Sequence, residues 1–339
     1  VYYGLYSGAS EMSTRKLIWL PGSVTGYEAQ PTNTVSSTGT VTIYSYNQDN
    51  TGHWATVAIY DKNYKILWSY MIMKYNTGDE PKDVAYPGTD IVLLDRNLGS
   101  TYSNALAEEK KTFDNAGAFF QWGRKDPFMW SNSKIDDRYK NVFVTSDVDI
   151  NTTIENPGIL YAYTSDSKGD WQMKEHRTDL WGGENNTSNW YDPAGVGHKT
   201  IYDPCPAGYR VPDARVLKEV EDKAERWEIS NGSKYQKPDV IKADSPFAST
   251  FSTLAYPLGD GKYDYWPYAG AKWGNNNSFG NRTTTNTKTG AIYWSNNVSP
   301  GATNLGIMME YCYFSSAVNA NIRQTANRAQ AFTIRCQKE

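Results

Sequence analysis

The residues of this chain that could do chemistry are few, and their spacing limits what they can do. The cysteines are Cys205, Cys312 and Cys336, and the histidines are His53, His176 and His198. Zinc wants cysteine or histidine pairs at short spacing; none occurs, so no metal centre is expected. Cys205 lies in Tyr202-Asp-Pro-Cys-Pro-Ala-Gly-Tyr-Arg-Val-Pro-Asp213, just ahead of a helical pattern. A nucleophilic cysteine needs a positive or helix-N-terminal environment and a base. The approaching helix favours that role, but Pro204 and Pro206 clamp the residue and no histidine is near it in sequence. The third option is a disulfide from Cys205 to Cys336. It would close a loop of about 130 residues, worth up to about 5 kcal/mol in the chain-entropy model, and tie down a C-terminal strand otherwise prone to fray. The disulfide is favoured, with free thiols as the alternative. Cys312, midway along an apolar strand, reads as a buried free thiol.

A second constellation is built on aromatics. The run Asp260–Ser278 mixes rings with amides and an acid: Asp264, Tyr265, Trp266, Tyr268, Trp273, Asn275, Asn276 and Asn277. Sugars are held by aromatic faces and by planar amide or carboxylate hydrogen bonds, so these residues are the candidate glycan site. The competing reading is that Tyr265, Trp266 and Trp273 pack a long loop onto a sheet, as large rings usually do. Beside Cys205, Arg210 reads as half of a structural ion pair and Asp213 as a helix cap. The aspartates around Lys168 and Lys262 match no full calcium loop. There is no Gly-rich phosphate loop, Gly-x-Ser-x-Gly elbow or His-Glu-x-x-His, which lowers the expectation of catalysis without excluding paired carboxylates. No cofactor is expected.

Elements must position these groups. The chain has 339 residues, 37 acidic and 34 basic, with no long run of either sign. Nucleic acid and anionic membranes are therefore poor partners. It carries 12 Trp, 26 Tyr and 10 Phe; with many Thr, Asn and Gly, this composition predicts β-structure with long ordered loops. No apolar run is long enough to span a bilayer. The chain begins at Val1 without a charged-then-apolar leader, so any export signal or lipid anchor is expected to have been removed. Asn-x-Ser/Thr sequons, including Asn297, reflect an Asn-rich composition.

Residues 1–35 are irregular and 31–39 read as a linker. Thr40–Tyr46 and Trp54–Tyr60 alternate as strands, and Lys65–Met73 returns after a turn at 61–64. Asp90–Asp95, Ala291–Ser295, Ile307–Phe314 and Ala331–Cys336 are further strands. Two helices are expected. Asp114–Trp122 has an Asp cap and a Gly stop. Asp213–Glu228 places Val216, Leu217, Val220, Ala224 and Trp227 on one face. Strands and helices segregated in this way indicate α+β.

Taken in order, several motifs resemble a known family. Cys205-Pro-Ala-Gly-Tyr-Arg-Val-Pro212, Tyr293-Trp-Ser295 and Asn327-Arg-Ala-Gln-Ala-Phe-Thr-Ile-Arg-Cys336 resemble the Fibrobacter-type major paralogous domain. Upstream, Ile66-Leu-Trp-Ser69, Leu94-Asp-Arg-Asn-Leu-Gly99 and Phe120-Gln-Trp-Gly-Arg-Lys-Asp-Pro-Phe128 resemble fimbrillin-like tip pilins of Bacteroidetes. The resemblance implies a β-rich N-terminal region, residues 1–85, and a C-type-lectin-like domain, residues 86–339, with two helices and long ordered loops. It also implies a Cys205–Cys336 pairing, export to the cell surface as a trimmed lipoprotein of the outer membrane, and other pilin subunits as partners. The expected function is that of a pilus-tip adhesin, binding a host or bacterial glycan or protein through the loops of 231–290 without catalysis. Two alternatives are a secreted enzyme on a formylglycine-generating-like scaffold or a glycan hydrolase, and a purely structural pilus subunit. Trp294-Ser-Asn296 departs from the Trp-Asn-Asp calcium motif, so calcium-dependent sugar binding is not expected.

Overall fold

The computed structural model describes residues 2–5, 53–60, 65–75, 78–100, 103, 117–128, 130–131, 134–135, 140–144, 148–163, 169–172, 175–183, 197–230, 234–236, 252–267, 271–272, 279–280, 290–300, 302–314, 317–319 and 324–339. The expected strand at 40–46, the linker at 31–39, the turn at 61–64 and much of the 231–290 loop lie outside them. Among the described residues the chain is β-rich with two helices, α1 (Ile150–Glu155) and α2 (Ala214–Lys223).

The first three strands are β1 (Tyr2–Leu5), β2 (His53–Tyr60) and β3 (Ile66–Lys74), antiparallel in that order. The expected hairpin is present, with Val57 opposite Tyr70 and Thr56 opposite Met71. Thr56, Ala58 and Ser69 are buried, whereas Tyr70 and Ile72 are exposed, so β3 turns one side to the body and the other to solvent. Next come β4 (Asp83–Ala85) and β5 (Val92–Leu94). They join a sheet whose order is Tyr209–Arg210, Gln337–Lys338, β5, β4, all antiparallel. Further along, Gly290–Ser299 pairs with Ala302–Phe314, and Glu225–Ser230 pairs with Ser252–Gly259, which pairs with Lys262–Pro267.

Two apolar clusters hold these sheets together. One gathers Phe120, Trp122, Trp171, Trp181, Trp294 and Phe332 around the paired Cys205 and Cys336. The other seats the apolar face of α2, Val216, Leu217 and Val220, against Leu93, Tyr256 and Trp266. That face is the one the sequence spacing predicts. The helix, however, ends at Lys223, and Glu225–Ser230 is a strand. Trp227 therefore stands in the sheet opposite Thr253 rather than on the helix. A period-3.6 pattern and a period-2 pattern coincide over such a short overlap, which is why the boundary is misplaced.

The helix expected at Asp114–Trp122 is not there in its described part. Phe119 bridges Phe128, Phe120–Gln121 forms a strand against Ala331–Phe332, and Trp122 lies in a turn. Phe119, Phe120, Gln121 and Trp122 are all fully buried. Successive residues of a helix cannot all face inward against two different neighbours, but those of a strand between two layers can. Gly117 supports this geometry, since its φ is +72° and a Cβ there would lie 2.5 Å from the Leu98 carbonyl oxygen. In the other direction, α1 is a helix the sequence does not announce. Its β-branched residues are weak helix formers, yet Asp149 caps it by accepting the Thr152 N–H at 2.6 Å. The last expected strand, Ala331–Cys336, is a strand only over Ala331–Phe332; pairing resumes at Gln337–Lys338.

Candidate functional site

Cys205 and Cys336 are joined, with Cα atoms 5.8 Å apart. The cysteine that could have been a nucleophile or a ligand is thus a staple. It holds the loop 197–208 against the C-terminal strand, where the Glu339 N–H also donates to the Gly208 carbonyl at 3.0 Å. Beneath it Asp203 accepts from the N–H groups of Cys205 and Val211, both at 2.8 Å. Burial raises the Asp203 pKa, against the pull of Lys199. Cys312 lies in the strand Ala302–Phe314, with its side chain outside what is described.

This stapled loop forms one wall of a cleft of about 710 Å³, and β3 forms the other. That size falls within the range of small-ligand pockets, about 300–1,000 Å³. Trp68, Tyr70 and Met71 line the β3 side, and Lys199, Ile201 and Glu339 line the other. Tyr70 is 53% exposed and Ile201 68%, an uncommon display of apolar surface around a concave site. The floor is Lys125. Its Nζ donates to the Ser69 carbonyl at 3.0 Å, to Ser69 Oγ at 2.5 Å and to Asp126 Oδ1 at 2.8 Å. It also stands 4.6 Å from the centre of the Trp68 ring. Burial lowers the Lys125 pKa, with Asp126 opposing the shift. The Asp126–Lys125–Ser69 knot therefore fixes β3 and the ring of Trp68 before any ligand arrives. On the opposite wall Lys199 Nζ donates to Asp203 Oδ1 at 3.1 Å and to the Cys205 carbonyl. The Lys199 N–H donates to Glu339 Oε1 at 3.2 Å.

The expected sugar-binding residues are divided. Trp266 is fully buried, with its ring at 70° to that of Tyr293 and the Arg335 guanidinium 4.9 Å over its face. Asp264 is buried as well: Tyr86 donates to its Oδ2 at 2.6 Å, and Arg335 pairs with its Oδ1. The Trp266 indole N–H in turn reaches the Tyr86 hydroxyl at 2.8 Å. These two residues thus belong to a polar knot inside the core, as the packing alternative has it, and their ring and carboxylate faces are already taken. Tyr265 is half-buried between them. Tyr268, Trp273, Asn275, Asn276 and Asn277 lie outside the described residues.

Arg210 and Asp213 do form an ion pair, but Asp213 does not cap α2 with its side chain. The capping acceptor comes from elsewhere: Asn297 Oδ1 takes the Ala214 N–H at 2.8 Å. That sequon asparagine is buried. Trp294, Ser295 and Asn296 are buried too, with Asn296 Nδ2 donating to Asp213 at 3.1 Å.

A further cluster is centred on the fully buried Asp170, one of the aspartates flanking Lys168. His176 takes a left-handed backbone, φ +44°, and its Nδ1 lies 2.9 Å from Asp170 Oδ2. Arg328, fully buried, reaches the same carboxylate at 3.0 Å and lies 4.3 Å over the Trp122 ring. Burial pulls the Arg328 pKa down to about 10 and pushes that of Asp170 up. His176 is six residues from Asp170, but Arg328 and Trp122 are far from both in sequence, so no local pattern could reveal the whole cluster. No group of three or more metal-ligating side chains occurs among the described residues, and no described helix is long and apolar enough to cross a membrane.

No family model matches this chain, and no curated protein or solved structure does either.

Proposed function

We propose that this chain is a cell-surface adhesin, a fimbrial tip subunit whose C-terminal region is C-type-lectin-like, and that it binds its ligand without catalysis. The observation that carries the reading is the cleft between β3 and the disulfide-stapled loop. A disulfide is the chemistry of exported proteins. Two walls from distant parts of the chain, each rigidly anchored, are how a binding surface is preorganised. The charged residues with the largest burial serve the fold: Arg335 pairs with Asp264, Arg328 with Asp170, and Arg210 with Asp213. Exported display on a fimbrium beside other pilin subunits, with a glycan or protein receptor as partner, is the setting that agrees with both the disulfide and the motif resemblance.

The test is binding by the purified chain to immobilised glycans and matrix proteins, with Tyr70→Ala as the diagnostic variant. A saturable hit weakened about tenfold by Tyr70→Ala is expected, the usual scale for losing an aromatic contact. If no hit appears, and cells lacking the protein adhere as well as their parent, the adhesin reading fails.

A further inference from the structure

Resting on that reading, we infer that the cleft beside the disulfide takes an uncharged, hydroxyl-rich ligand, a neutral saccharide, in preference to an acidic glycan or a basic peptide. The argument is charge by charge. Lys125 faces the cleft from the floor, but its ammonium is engaged by two oxygens of Ser69 and by Asp126. Lys199 faces it from the wall and is paired with Asp203. Asp203 in turn is saturated by Lys199 and by the N–H groups of Cys205 and Val211. Arg177, which lies over the outer ring of Tyr202, is tied to Asp179. What remains among the described residues lining the cleft is the exposed Glu339 carboxylate, which takes one backbone N–H.

An acidic sugar would meet Glu339, and the two cations among the described lining residues, Lys125 and Lys199, are already paired with Asp126 and Asp203. A basic side chain would have Glu339 as its one exposed partner among the described lining residues and would still give up its own hydration on entering the cleft. A ligand with no formal charge meets neither penalty, and burying unpaired charge is the costlier error.

What the cleft offers instead suits a polyol. Lys199 has a third ammonium proton beyond its two bonds, and Glu339 has a second carboxylate oxygen, with the two residues already in contact. Neighbouring hydroxyls on a sugar ring can accept from the one and donate to the other. Tyr70, half exposed, and Trp68, its ring held by Lys125, supply faces for the C–H side of that ring. Ile201 and the two prolines around Cys205 form an apolar rim.

The experiment uses the intact chain on an array of neutral, sialylated and sulfated oligosaccharides, with hits measured by calorimetry. Neutral oligosaccharides are expected to bind, with an affinity that changes less than about twofold between about 0.05 and 0.5 M salt. Tyr70→Ala should weaken binding about tenfold and Glu339→Gln about fivefold. Ile72→Ala, on the same strand but not lining the cleft, should leave it unchanged. Each variant must keep the parent melting temperature. Preference for sialylated or sulfated ligands with a steep salt dependence would overturn the ligand class. So would a lysine-rich peptide that binds in a Tyr70-dependent way while no sugar does. Either result leaves the adhesin reading standing, whereas absence of any ligand together with unchanged adhesion removes both.

Discussion

Arg210 and Asp213 face each other as a two-pronged pair, with Nη1 to Oδ1 at 2.7 Å and Nη2 to Oδ2 at 2.6 Å, and almost none of either side chain reaches water. The carboxylate is shared further, with Asn296, Arg215 and the Gly197 N–H. One aspartate thus links the start of α2, the strand Gly290–Ser299 and the loop before the disulfide. Removing it strands a buried guanidinium. Asp213→Asn should cost about 3–5 kcal/mol, read as a lower urea midpoint at unchanged m-value. The double change Arg210→Met with Asp213→Leu should recover part of that loss.

The same pair sets a pH dependence. Burial pushes the Asp213 carboxyl up, but the hydrogen bonds and charge of Arg210 outweigh it, so its pKa lies below the ordinary range. A depressed folded pKa gives stability that is present above the unfolded value, about 3.9, and lost as pH falls through the folded one. Asp170 has the opposite sign: burial raises its pKa, so its contribution is present at low pH and fades as pH rises through the folded value. Urea midpoints taken from about pH 3 to 7 should therefore fall less steeply on the acid side for Asp213→Asn than for the parent. For Asp170→Asn the deficit relative to the parent should shrink as pH rises. Parallel curves would contradict both assignments.

Loss of the staple is the next expectation. Cys205→Ser with Cys336→Ser should lower stability by about 2–5 kcal/mol. Under denaturing, non-reducing conditions thiol titration of the parent should find one free thiol, that of Cys312, since two of the three cysteines are paired. Three free thiols would remove the staple and with it one wall of the cleft.

Trp266→Ala separates core from surface. It should cost about 3–5 kcal/mol, because the ring is fully buried and bonded to Tyr86. Any ligand affinity should persist in whatever fraction folds. Selective loss of binding at parental stability would restore Trp266 as a contact residue.

These expectations also mark what the sequence makes legible. The apolar face of α2 and the β2–β3 hairpin follow from spacing and turn chemistry, both local signals, whereas the partner of Cys205, 131 residues away, is favoured by the stabilisation that closing so long a loop gives. Phe120 and Trp122 mislead because an apolar run next to an aspartate and a glycine suits a helix as well as a buried strand, and only Phe332 opposite decides the matter. Trp266 and Asp264 look like a sugar platform for the same reason: Arg335 and Tyr86, which consume them, are distant in sequence. The cleft is invisible from sequence because Tyr70, on β3, and Ile201, on the stapled loop, line one cavity though they are 131 residues apart.

The strand Gln337–Lys338 lies between Tyr209–Arg210 and β5, both synthesised long before it. A chain emerging from the ribosome or a translocon with its N-terminus first cannot complete this sheet, or make the Cys205 bond, until these residues have cleared the channel. Completion of this sheet, and closure of the disulfide, therefore wait for residues made long after Tyr209–Arg210 and β5.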